Sequence, residues 1–163
     1  MEKFRLKLKV IISKQKLFLL EGNKIIKQYE VSTSKYGIGN KSESNKTPLG
    51  DHIVCSKIGK GAPIGAIFVK RRNTGRIANI RSRKGASLGD FITSRIIRLK
   101  GLENGVNCGE GIDSYKRCIY IHGTPDEWLI GKPASHGCIR MKNKDIIELF
   151  NRIKRSALVK IQR

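Results

Sequence analysis

No stretch of this 163-residue sequence approaches the ~18 consecutive apolar residues of a membrane-crossing helix, so an integral membrane protein of that kind is not expected. Acidic residues are few, 13 against 34 lysines and arginines, leaving a formal charge of +21. A surface of that sign seeks polyanions: nucleic acid, anionic membrane or an acidic polymer. Aromatics are scarce where the charge is densest. Between Lys57 and Lys100 twelve basic side chains meet one acid, Asp90, and two aromatics, Phe68 and Phe91. With so few rings to stack on bases and no RNA-binding signature, a dedicated nucleic-acid module is not expected. The first twenty residues hold Lys3, Arg5, Lys7, Lys9, Lys14 and Lys16, and neither the apolar centre nor the small-residue cleavage site of a secretory signal. Internal repeats and low-complexity linkers are absent, so residues 1–163 read as one domain, long enough to bury a core without metals or disulfides.

What is present is mostly strand-forming. Phe4, Leu6, Leu8, Val10 and Ile12 alternate with Arg5, Lys7, Lys9 and Ile11, the period of a half-buried strand. Lys16 to Leu20 and Lys24 to Val31 flank Glu21-Gly22-Asn23 as a hairpin. Ser32 to Lys46 reads as loop, Thr47-Pro48-Leu49-Gly50 as a turn, and Asp51 to Ser56 as a strand. From Gly59 to Gly111 frequent glycines and short apolar runs predict short strands. Cys118 to His122 follows as a core strand, and Ala157 to Ile161 as a last one. One helix is expected, capped by Asn143, with Ile146, Ile147, Phe150 and Ile153 on its apolar face. The class is mainly β, a sandwich or open barrel with one or two short α-helices.

Chemistry concentrates in Ile121-His122-Gly123-Thr124 and Ser135-His136-Gly137-Cys138-Ile139-Arg140, which place one cysteine and two histidines within 17 residues. A thiol that attacks an acyl group needs a base and backbone donors for the oxyanion, and glycines let amides approach a carbonyl. The amides of Cys138 and Gly137 are candidates for those donors, and His122 and His136 for the base. Arg140 suits either a substrate carboxylate or a plain surface role, and Ser135 a hydrogen bond within its loop. Cys118, His122, His136 and Cys138 could together offer two sulfurs and two imidazoles to zinc, but their spacings match no structural zinc pattern and Cys-x-x-Cys is missing, so no metal is expected. His52, near Cys55, reads as structural or surface. The four cysteines are expected mainly as free thiols, with a Cys108–Cys118 bridge as the alternative.

This arrangement resembles the catalytic segment of the L,D-transpeptidases of the YkuD type, whose signature is a histidine, a spacer, then [Ser/Thr]-His-Gly-Cys, an aliphatic residue and Arg or Asn. Here the elements are His122, twelve spacer residues, and Ser135 through Arg140. Val31-Ser32-Thr33 and Thr47-Pro48-Leu49-Gly50 resemble the family's strand end and turn ahead of the catalytic half. The resemblance implies an L,D-transpeptidase-like β fold and Cys138 as nucleophile. It makes His122 the general base, oriented by the Gly123 carbonyl, and gives His136 a place at the oxyanion or in the loop. It also implies a thiol easier to ionise than a free one near ~8.5. Substrates would be peptidoglycan stem peptides, with an anionic wall polymer as partner to the basic segment, no cofactor, carbapenem sensitivity, and a place in the cell envelope. The same residues would serve an L,D-carboxypeptidase or a lipoprotein-detaching hydrolase, and a non-catalytic polyanion binder is the reading from charge alone.

Overall fold

A computed structural model describes residues 5–85 and 90–163. Phe4, expected to open the first strand, lies outside the described residues. Ten strands form one sheet: β1 (Leu6–Ile11), β2 (Lys16–Glu21), β3 (Lys24–Ser32), β4 (Gly50–Ile58), β5 (Ala66–Val69), β6 (Arg72–Ile77), β7 (Ile92–Gly101), β8 (Tyr120–Gly123), β9 (Ile139–Met141) and β10 (Leu158–Gln162). Among the described residues a single α-helix, α1 (Asn143–Arg152), accompanies them. The order is β4-β10-β1-β2-β3-β9-β8-β7-β5-β6, and β4 also pairs with β7. That last pairing shuts the sheet, so the mainly β class holds and the barrel is closed rather than open. No helix among the described residues is long and apolar enough to cross a membrane.

Alternation along the strands builds two cores. Leu8, Val10, Leu17, Leu19, Ile97, Leu99, Ile121 and Ile139 point to one face, where α1 adds Ile146, Leu149 and Phe150. On the other face Ala66, Phe68, Ile96 and Tyr120 form a second cluster, with Cys118 and Cys138 packed against it. The β5–β6 hairpin contributes to that cover through its pairing with the first residues of β7.

Three sequence expectations change in detail. The helix face runs Ile146, Leu149, Phe150 and then Ile153 just beyond it, an i, i+3, i+4, i+7 stripe; Ile147 stands beside the stripe, half-buried. Asn143 does not cap the helix. Lys142 holds that position without a side-chain bond, and the Glu127 carboxylate accepts the Asn143 amide at 2.7 Å instead. The Asn143 side chain turns inward. Its Oδ1 accepts from Thr93 and Ser94, each at 2.6 Å, and its Nδ2 donates to the Thr124 carbonyl at 2.8 Å.

The third change is β7, ten residues where short strands were expected. Thr93, Ser94 and Arg95 interrupt its apolar pattern, yet all three are buried. Asn143 satisfies the two hydroxyls, and the Ala62 carbonyl accepts from Arg95 at 2.8 Å. Burial is tolerable because the two hydroxyls and one Arg95 terminal nitrogen find partners, although the buried Arg95 Nε finds none.

Candidate active site

The pairing of β8 with β9 brings the two motifs together. The strands run parallel with Ile121 opposite Ile139 and His122 opposite Arg140, which sets Cys138 level with Tyr120. Side chains alternate, so Tyr120, His122, Cys138 and Arg140 share one face. Cys138 and His122 are then diagonal neighbours on adjacent strands, their Cα atoms about 8 Å apart by strand spacing and rise.

His122 is buried in the sheet, and its Nδ1 lies 2.7 Å from the Gly123 carbonyl oxygen. A carbonyl can only accept, so the proton sits on Nδ1 and Nε2 carries the lone pair. Burial lowers the His122 pKa to about 4, against the opposing pull of the Gly123 carbonyl and of Asp90. The ring is therefore neutral at physiological pH. Gly123 admits no side chain: a Cβ there would fall 2.5 Å from the Thr93 carbonyl oxygen and 2.8 Å from Asn143 Oδ1. Gly123→Ala should cost about 3 kcal/mol through this overpacking. In a chain of this size that means unfolding roughly 10 °C lower in a thermal scan. A melting point unchanged by the substitution would mean that the Thr93–Asn143 wall gives way freely.

The Cys138 thiol accepts from the Tyr120 amide at 3.3 Å and donates to the Cys118 carbonyl at 3.3 Å. Burial raises its pKa to about 12, and the Tyr120 amide pulls the other way. This reverses the expectation of an easily ionised thiol. With the half-buried thiol protonated and the imidazole neutral, no ion pair exists at rest, and ionisation must accompany attack. Cys118, expected in the strand, adopts a left-handed φ of +57° before β8 begins, and this turn brings its carbonyl to the sulfur.

The loop ahead of Cys138 is tied from several sides. Ser135 Oγ donates to the Cys138 carbonyl at 2.6 Å and accepts from the Gly137 amide at 3.2 Å. The structure thus engages the Gly137 amide within the loop. Gly137 has φ +127°, a left-handed conformation suited to glycine, and its carbonyl accepts from the buried Thr47 hydroxyl at 3.0 Å. The Ser135 amide donates to the Thr33 carbonyl at 2.9 Å. The segments Val31 to Thr33 and Thr47 to Gly50, singled out in the sequence, thus bond the loop ahead of Cys138 through Thr33 and Thr47.

Asp90 is the site residue that the sequence reading did not assign. Its carboxylate bridges His136, whose Nδ1 is 2.9 Å away, and the Arg140 guanidinium. Burial works to raise the Asp90 pKa, but Arg140, His122 and His136 outweigh it and the net shift is downward. The signal was visible as the lone acid among twelve bases. Arg140 itself is buried rather than a surface residue, with Nε lacking a partner. His136 is well exposed and its ring lies 6.0 Å from that of Tyr36.

All four cysteines are free thiols, so the Cys108–Cys118 alternative is not formed. Among the described residues no three His, Cys, Asp or Glu side chains group as metal ligands. His52 is structural: buried, it bonds the Gly50 carbonyl at 3.0 Å and Ser114 Oγ at 2.9 Å, with burial lowering its pKa.

Comparison with known proteins agrees with this geometry. YkuD of Bacillus subtilis (strain 168) is 51% identical over 43 residues, which are 26% of this chain and 26% of that protein. An L,D-transpeptidase from Mycobacterium smegmatis superposes with TM-score 0.57 at 14% identity, over 98% of this chain and 59% of that one. L,D-transpeptidase 3 from Mycobacterium tuberculosis, solved in complex with a faropenem-derived adduct, gives 0.56 at 16% identity, over 97% of this chain and 60% of that one. This chain therefore spans only part of the length of these relatives, and the solved structures establish a shared fold. The family model of the YkuD L,D-transpeptidase catalytic domain matches residues 6–161, and the chain belongs to that family.

Proposed function

We propose that this chain is a peptidoglycan L,D-transpeptidase with Cys138 as nucleophile and His122 as general base, acting in the cell envelope as one catalytic domain. The observation that carries the reading is the His122–Gly123 hydrogen bond at 2.7 Å on the strand beside Cys138, which leaves Nε2 free to take a proton on the face that holds the thiol. Cys138 Sγ attacks the carbonyl at the L-centre of the third, diamino-acid residue of a tetrapeptide stem. The thiol proton passes to His122 Nε2 as the carbon–sulfur bond forms. Collapse breaks the bond to the terminal D-alanine, whose nitrogen takes that proton, and a thioester remains on Cys138. An amine of a second stem attacks next, giving its proton to His122 and restoring the thiol. The Cys138 amide serves as a backbone donor to the developing oxyanion, and Asp90 holds His136 and Arg140 together.

Neutral resting partners suit this sequence of steps. A neutral imidazole is the competent form of a base, and its depressed pKa keeps it so well below pH 7. Incubation with purified tetrapeptide muropeptides, followed by mass spectrometry of the intact protein and of the products, tests the assignment. The expected result is an adduct equal to the stem less D-alanine, together with cross-linked dimers. Release of tripeptide without dimers would make the acceptor water and the enzyme an L,D-carboxypeptidase. The absence of any adduct would overturn the reading.

A further inference from the structure

Where β4 meets β7 lies a cavity of about 700 Å³ whose walls are cationic. Lys57, Arg98, Lys100 and Arg155 line it with Cys55 and Tyr115, and no carboxylate does. Its shape begins with a bulge. The β4–β7 register slips between Val54 and Ser56, which leaves Cys55 without a ladder partner and bends β4. Arg155, from the segment after α1, donates through Nε to the freed Cys55 carbonyl at 2.9 Å. From the other strand Arg98 stacks 3.8 Å from the centre of the Tyr115 ring and donates to the Tyr115 carbonyl at 3.3 Å. Lys57 donates to the Ile153 carbonyl at 2.7 Å and lies 4.3 Å from the Phe150 ring centre.

Every one of these contacts positions a cation, and none neutralises it. The ion pairs among the described residues involve none of the four. Arg98 Nε is buried without a hydrogen-bond partner. Four like charges in one concavity repel one another, and an anion that enters relieves the repulsion while filling the open donors. We propose that this cavity is a binding site for a phosphate group, with Arg98 and Arg155 as the forked donors and Lys57 and Lys100 as point charges. Guanidinium forks match phosphate oxygens two at a time, and ammonium groups add charge without fixed geometry.

The position gives such a site a use. Arg98 pairs with Tyr120 across β7 and β8, and the Tyr120 amide bonds Cys138 Sγ. The Arg98 backbone thus lies two strand spacings, about 10 Å, from that of Cys138. A polymer that bears phosphodiesters could be gripped there while another part of the same macromolecule reaches Cys138. The inference concerns the cavity alone and stands whether or not the thiol is acylated.

Two probes test it, inorganic phosphate and a short poly(glycerol phosphate), matched in phosphate concentration at about 0.15 M salt to screen diffuse attraction. Each should slow iodoacetamide labelling of Cys55, followed by peptide mapping, and leave Cys108 labelling unchanged. Calorimetric affinity should fall about tenfold in Arg98→Gln/Arg155→Gln. It should fall about threefold in Lys100→Gln, an exposed position where folding is not at stake. A control with the same charge loss at exposed sites, Lys41→Gln/Arg76→Gln, should change it less than about twofold. Tighter binding of the polymer names the diester as ligand, and tighter binding of inorganic phosphate names the small anion; either sustains the site. Equal losses in cavity and control variants, or Cys55 labelling that ignores both probes, would overturn it.

Discussion

Cys138→Ala is expected to eliminate acylation by stem tetrapeptide and by a carbapenem, with no adduct detectable by intact-mass spectrometry, while the protein keeps its fold. The chemical half of the argument is that, among the described residues, no other cysteine lies on or directly before a strand paired with that of His122. Cys55 lies in the cationic cavity, Cys108 in the long loop before β8, and the Cys118 side chain turns to the Lys116 carbonyl at 3.7 Å. What Cys118 gives the site is its backbone carbonyl, which alanine would keep. Cys55→Ala, Cys108→Ala and Cys118→Ala should therefore retain acylation. The structural half is that Cys138 sits at the edge of the smaller apolar cluster, so removing one sulfur leaves a small gap worth about 1 kcal/mol. An adduct that persists on Cys138→Ala, or one lost from Cys55→Ala, would end the assignment of the nucleophile.

The proposed nucleophile and base could be picked out in sequence because they lie in short contiguous motifs, and the glycines beside them mark backbone constraints. Gly123 had to be glycine because Thr93 and Asn143 close over it, and Gly137 because of its left-handed φ. For Gly123 those causes lie about twenty to thirty residues away in the chain, yet their imprint is local. The strands of the first half were legible for a similar reason, since period-2 alternation is a short-range signal. Residues whose roles come from long-range packing were not. Asn143 looked like a helix cap, and only the approach of β7 reveals it as the acceptor for Thr93 and Ser94. Asp90 showed as an odd charge without a destination, because the chain that links it to His136 spans 46 positions.

Burial was the other quantity that sequence could not supply, and it changes the expected state of the thiol. It moves the imidazole down to about 4 and the thiol up to about 12, so both partners rest neutral. Each shift also has a consequence for stability. The folded His122 pKa lies below its unfolded 6.5, so the unfolded chain binds more protons and stability is lost as pH falls from about 6.5 toward 4. The folded thiol lies above its unfolded 9.0, so stability is lost as pH rises beyond about 9. The site favours the fold most between those limits, where catalysis also needs it.

His122→Ala should change the shape of the pH–rate curve as well as its height. In the wild type, the competent state combines neutral imidazole with protonated thiol, and the two pKa values bracket it. Second-order acylation by a carbapenem should then be nearly flat from pH 5.5 to 8, with its acid limb near 4 rather than near the ordinary histidine value. Without the imidazole nothing accepts the thiol proton in step with attack, and only thiolate formed beforehand can react. The rate at pH 7 should fall about 10²- to 10⁴-fold, the usual worth of a positioned base. What remains should climb about tenfold per pH unit between 7 and 9, following the thiolate fraction. His136→Ala should behave differently. His136 is exposed and bonded to Asp90, so its loss loosens the loop and lowers the rate while leaving the flat profile in place. Far-UV circular dichroism and thermal melts of both variants separate a chemical effect from an unfolded site. If His136→Ala acquires the hydroxide-like slope and His122→Ala stays flat, the base is His136, and the Gly123 hydrogen bond serves the fold alone.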